Sequence, residues 1–141
     1  MKHLVFAVLA CAAPMAAAWA QPVAPEVIEG VALRLPGRAE VYRERHEIGT
    51  LGHRIEYRAP DGTLIARNAL DYRCSESAPD FEQYDLRSDS LIGARWQDGK
   101  YLLLRGKESR ALEPAAALVA SSGFDRFVRA NWEALAAGDR I

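Results

Sequence analysis

His46 and His53, Asp71, Asp80 and Asp85, Ser75 and Ser77, and Cys74 are the side chains whose types and spacing could do chemistry. The two histidines stand seven residues apart. A metal site could use such a pair, but no cysteine spacing accompanies it, and histidines on a sheet surface or loop are the ordinary reading. The three aspartates fall where strands should end. An acid–base pair would need two of them in different environments, whereas turns and solvated strand ends account for all three. Ser75 and Ser77 have no histidine near them in sequence, which leaves pairing in space open. Cys74 reads as a semi-buried small hydrophobe beside a strand end rather than a nucleophile.

No Gly-rich phosphate loop, nucleophile elbow or paired Cys-x-x-Cys occurs. No catalytic, cofactor-binding or metal-ligating residue is therefore assigned, no cofactor is called for, and the balance is against an enzyme.

Composition bounds the partners. A chain of 141 residues with 26% charged residues and a formal net charge of −1 holds one small globular domain. Nothing in that balance steers it to nucleic acid or anionic lipid. Lysine occurs only at positions 2, 100 and 107, so 18 − 3 = 15 of the basic residues are arginine. They are interleaved with Asp and Glu, as on a solvated mixed-charge surface rather than a phosphate-binding patch.

Residues 1–20 have the layout of a secretory signal peptide. Lys2 and His3 precede an apolar run from Leu4 to Ala13, and Ala18-Trp19-Ala20 offers small residues to a signal peptidase. Cleavage is expected after Ala20, giving a periplasmic or secreted protein. Pro14 and the alanines argue against an uncleaved anchor, so no stable membrane span remains. Val8-Leu9-Ala10-Cys11 partly resembles a lipobox, which makes a lipoprotein lipidated at Cys11 the alternative. After cleavage the charge is 17 − 19 = −2, and Cys74, the one cysteine left, has no internal disulfide partner.

Residues 21–38, with their prolines and glycines, read as a flexible lead-in containing one edge strand near Val31–Leu35. The remainder, 39–141, reads as a single α+β domain. Ala39–Ile48 alternates as a strand with one wet face. Arg54–Tyr72 is a hairpin turned by Ala59-Pro60-Asp61-Gly62-Thr63, with Ile55, Tyr57, Leu64, Ala66, Leu70 and Tyr72 pointing inward. Arg73–Asp80 is a polar connection. Phe81–Leu86 is a further strand, and Leu91–Trp96 and Tyr101–Arg105 form a hairpin about Asp98-Gly99.

Beyond Arg110 the period becomes helical. A short helix is expected from Glu113-Pro114 to Ala120. A second is expected with Ser122 as N-cap, the stripe Phe124, Phe127, Val128, Trp132 and Leu135, and Gly138 as its stop. The expected fold is thus an antiparallel β-meander of five or six strands with a C-terminal amphipathic helix packed on one face.

The run Tyr57-Arg-x-x-Asp-Gly-x-x-x-Ala-Arg, with Asp71-Tyr72, Ala78-Pro79-Asp80-Phe81-Glu82 and Gly123-Phe124-Asp125-x-Phe127-Val128-Arg129-x-x-Trp132, resembles an uncharacterised family of small exported proteobacterial proteins. The resemblance covers most of residues 39–138. It implies export and an antiparallel sheet with a helix, and no activity. It also implies a further strand-rich segment after the helix, which leaves a natural short form and a truncation at the C-terminus as the alternatives.

Functionally, these readings favour a non-enzymatic binding or interaction module that takes an unknown protein or small ligand on its sheet. The alternatives are a carrier of an apolar ligand in a sheet–helix pocket and a hydrolase using carboxylates.

Overall fold

The computed structural model describes residues 24–113 and 118–141. The leader expected at 1–20, with Cys11, lies outside the described residues. Eight strands form one antiparallel sheet in which spatial order repeats chain order. They are β1 (Glu26–Arg34), β2 (Ala39–Ile48), β3 (Gly52–Arg58), β4 (Leu64–Asp71), β5 (Asp80–Asp85), β6 (Ser90–Gln97), β7 (Lys100–Arg105) and β8 (Glu108–Leu112). A 3₁₀ turn at Ser121–Gly123 leads into the helices α1 (Phe124–Ala130) and α2 (Trp132–Ala137). The class is α+β, with eight strands where five or six were expected. Among the described residues no helix is long and apolar enough to cross a membrane.

Local turn chemistry sets the meander. Asp98 and Gly99 take φ of 51° and 75°, the paired positive values of a tight two-residue hairpin. At the β3–β4 turn Gly62 takes φ 87°, and Asp61 Oδ1 accepts the Thr63 N–H at 2.9 Å. β1 begins at Glu26, ahead of the apolar run that signalled it, and falls within the stretch 21–38. β8 follows a turn at Gly106, and its Glu108-Ser-Arg110 start gives no apolar alternation to reveal it.

The registers sort side chains onto two faces. His46, Ile55, Asn68 and Gln83 stand opposite one another across β2 to β5, so they share one face with Tyr57, Ala66, Leu70 and Phe81. The other face carries Arg45, Glu56, Arg67 and Tyr84 in the same manner. Of the expected inward set, Ile55, Ala66 and Tyr72 are buried, and Tyr57, Leu64 and Leu70 are half-buried. Tyr101 is buried, while Leu103 on the same strand, between β6 and β8, is partly exposed.

The tightest packing gathers on the β4–β5 connection. Ala78 and Pro79 are buried, and Ala78 clusters with Ala94 and Tyr101 beneath Phe81, Trp96, Leu118 and Ala120. Trp96 Nε1–H donates to the Ala78 carbonyl and Tyr101 O–H to the Pro79 carbonyl, each at 2.7 Å. Buried carbonyls are costly to leave unpaired, so the two aromatics fix this segment. Ala120 N–H donates to Ser77 O at 2.9 Å. Gly123 lies so close to Ser77 that a β-carbon there would fall on its carbonyl.

The C-terminal segment departs from expectation in four ways. The short helix from Pro114 falls in part on residues 114–117, outside the described residues, and Ala120 is extended at φ −84°, ψ 152°. The main helix is broken at Asn131 into two short pieces. Ser122 makes no cap bond, and its hydroxyl is buried without a partner among the described residues. The apolar stripe does not cover the sheet: Phe124 is 58% exposed and Trp132 63%, while Phe127 and Val128 are half-buried. What reaches the sheet is Arg126. Its guanidinium stacks 3.6 Å from the Tyr72 ring centre and donates to the Thr50 carbonyl at 3.0 Å. The Asp125–Arg129 pair and the left-handed Gly138 cap are as expected.

Tyr101→Phe, which leaves the Pro79 carbonyl without its donor, is expected to cost about 1–2 kcal/mol. Gly123→Ala, which pushes the Ser77 carbonyl aside, is expected to cost about 1–3 kcal/mol. Urea midpoints measured at unchanged denaturant slope check both.

Candidate functional site

Strand alternation places a row of charged side chains on one face of the sheet. Two adjoining hollows there, of about 690 and 650 Å³, share Glu47, Arg54, Ala69, Glu82 and Leu91 as lining and so form one trough. Arg45 and Arg67 line one part, and Arg95, Asp71, Asp80 and Leu104 the other. The apolar Ala69, Leu91 and Leu104 lie among the charges.

The charges differ in how they are satisfied. Arg45 pairs with Glu47, Arg58 with Glu56 at 2.7 Å, and Arg73 with Asp71. Arg54, Arg67 and Arg95 make no ion pair among the described residues, and Arg67 only overlies the Tyr84 ring at 5.5 Å. A guanidinium offers a planar fork of five donors that matches a carboxylate or phosphate. These three exposed forks share the trough with Glu82, which also makes no ion pair among the described residues, so the trough offers donors for an anionic group beside one acceptor and apolar surface.

The histidines lie together on the opposite face. His46 Nδ1 and His53 Nε2 are 2.9 Å apart, with ring centres at 5.1 Å. Neutral imidazole carries one donor and one acceptor, so a single proton joins the two rings. His46 Nε2 lies 3.5 Å from Glu44 Oε1. Burial, then the neighbouring His46 and Arg126, push the His53 pKa below its ordinary value, with Asp125 opposing. No cluster of three or more His, Cys, Asp or Glu gathers to hold a metal among the described residues.

Asp71 and Asp80 do converge, as cross-strand partners at the trough's end. Hydrogen bonds from the Arg73 side chain and backbone hold the Asp71 carboxyl at about 2. It is ionised at neutral pH and offers no proton to a leaving group. Asp80 Oδ1 accepts the Trp96 N–H at 2.8 Å. Asp85 is not brought to them: it stands opposite Ala66 at the far end of β5, held at about 2 by Arg87.

The serines are structural. Ser75 Oγ accepts the Ala78 N–H at 3.0 Å, and Ser77 Oγ donates to the Leu118 carbonyl at 2.9 Å. Cys74, expected to be semi-buried, is exposed. The residues that sequence reasoning did not single out are Arg54, Arg67 and Arg95. Their alternation onto a wet face was available, but the register that gathers them was not.

No protein-family model, curated protein or solved structure matches this chain.

The folded state binds the His53 proton less readily than the unfolded chain does. Neutral His53 therefore contributes stability above the ordinary imidazole value of 6.5, and that contribution is lost as pH falls below it. His53→Gln is expected to flatten this part of the urea-midpoint profile. The Asp71 contribution is present above 3.8 and lost as pH falls toward about 2, so Asp71→Asn is expected to flatten the acid end instead.

Proposed function

We propose that this chain is an exported, non-enzymatic binding module whose ligand lies in the charged trough of its sheet. The observation that carries the reading is the grouping of Arg54, Arg67 and Arg95, unpaired among the described residues, along the two adjoining hollows of the trough. All three are exposed, and a guanidinium fork with no ion pair of its own is free to take an incoming carboxylate or phosphate. The trough volume of about 690 Å³ lies within the range of small-ligand sites. The ligand class is a small molecule or peptide bearing carboxylate or phosphate, with an apolar part against Ala69 and Leu91.

Hydrolysis with Asp71 as the general acid is disfavoured by the same geometry, because Arg73 holds its carboxyl ionised. An apolar carrier of the sheet–helix type would need a helical lid, and Phe124 and Trp132 turn to solvent instead. Export rests on the leader at 1–20.

Native mass spectrometry of the chain isolated from the compartment to which it is exported is expected to show a bound anionic species. Arg54→Gln, Arg67→Gln, Arg95→Gln together are expected to lose it with an unchanged urea midpoint. A ligand-free wild type, or a triple variant that keeps the ligand, overturns the reading. The intact mass of the exported chain is expected to begin at Gln21. A start at a diacylated Cys11 would replace cleavage after Ala20 with lipidation.

A further inference from the structure

The two ends of the sheet are built differently. β8 is five residues long, with Glu108 and Arg110 exposed, as in natural edges that resist pairing. β1 is nine residues long, contains neither proline nor lysine, and leaves Val27, Ile28, Val31 and Leu33 about half exposed. Its outer row of N–H and C=O groups has no partner strand among the described residues. β1 also stays regular throughout. The register shift between Ala32 and Leu33 is taken up on β2, where Val41 has no opposite residue.

We infer that β1 is a self-pairing edge, on which a second copy of this chain docks through its own β1. The strands run antiparallel about a two-fold axis at Gly30 and join the two sheets into one. An axis perpendicular to the sheet keeps each side chain on its own face, so only residues of matching alternation can stand opposite. Gly30 is the midpoint of Glu26–Arg34, and an axis there engages every residue of the strand.

That register is also self-complementary in chemistry. Glu26 opposes Arg34 of the second copy, and by symmetry this happens twice. Val27 opposes Leu33, and Ile28 opposes Ala32. Moving the axis to Glu29 sets Glu26 against Ala32 and leaves Arg34 without an opposite residue. Moving it to Val31 sets Arg34 against Ile28 and Glu29 against Leu33. Of the three, only the Gly30 register sets charge against opposite charge; it also pairs four apolar residues, with Glu29 facing Val31 as its one mismatch, whereas the Glu29 axis sets Glu29 against itself.

Sedimentation equilibrium of the full chain tests this. The wild type is expected to be a dimer. Glu26→Arg, which sets like charges opposite at both ends of the contact, is expected to weaken association about tenfold. Glu26→Arg with Arg34→Glu restores the opposition and is expected to recover wild-type association. Urea midpoints at a dilution where all variants are monomeric confirm that each folds. A monomer at every concentration overturns the inference. So does a dimer indifferent to Glu26→Arg, or one that the double reversal fails to rescue, since β8 or a foreign strand as occupant gives no such rescue.

Discussion

The buried carbonyls of Ala78 and Pro79 are what the rest of the fold hangs on. A carbonyl removed from water must find a donor, and here the donors are the indole of Trp96 and the phenol of Tyr101, from two different strands. Satisfying them draws β6 and β7 against the β4–β5 connection and creates the small cluster with Ala94. The same connection then receives the C-terminal segment. Ser77 accepts the Ala120 N–H and donates to the Leu118 carbonyl, Gly123 closes onto its backbone, and Glu76 pairs with Arg126 at 3.4 Å. This one connection thus does the work usually given to a helix lying across a sheet.

Because the helices do not cover the sheet, its two faces are free to differ. One carries the apolar and aromatic residues and the joined histidines. The other carries alternating arginine and glutamate. Gly93 stands on that charged face, where a β-carbon would lie 2.5 Å from the Phe81 carbonyl, so β5 and β6 are held together there with no side chain between them. Among the described residues, Arg126 ties the helix to the sheet as a cation on a tyrosine ring rather than through an apolar seam.

What was legible in the sequence was local. Asp98-Gly99, the Pro60–Gly62 turn and the Gly138 stop each encode their own backbone geometry, and each is where its residue types put it. β8 was illegible because its first three positions are polar on both faces. The helical stripe misled because 3.6-residue periodicity reports which side of a helix is apolar, not what that side meets. Arg73–Asp80 looked like a polar loop since it contains serines and charges. Its end proved enclosed, with Ala78 and Pro79 buried, because those hydroxyls turn inward to backbone groups. The candidate site was half legible: wet-face arginines could be read strand by strand, but only long-range register shows that Arg54, Arg67 and Arg95 share a trough.

Strand order that repeats chain order has one more consequence. Each strand borrows its hydrogen bonds only from its predecessor and its successor, so the sheet behaves as a one-dimensional array in which neighbour couplings dominate. Loop closure is brief at every step, which favours rapid zippering from any hairpin that forms first. Damage should spread in the same manner, as fraying that advances strand by strand from an end and halts at the Ala78–Pro79 anchor. A length change made as a whole hairpin would leave all remaining neighbours intact, so this architecture can grow or shrink by pairs of strands.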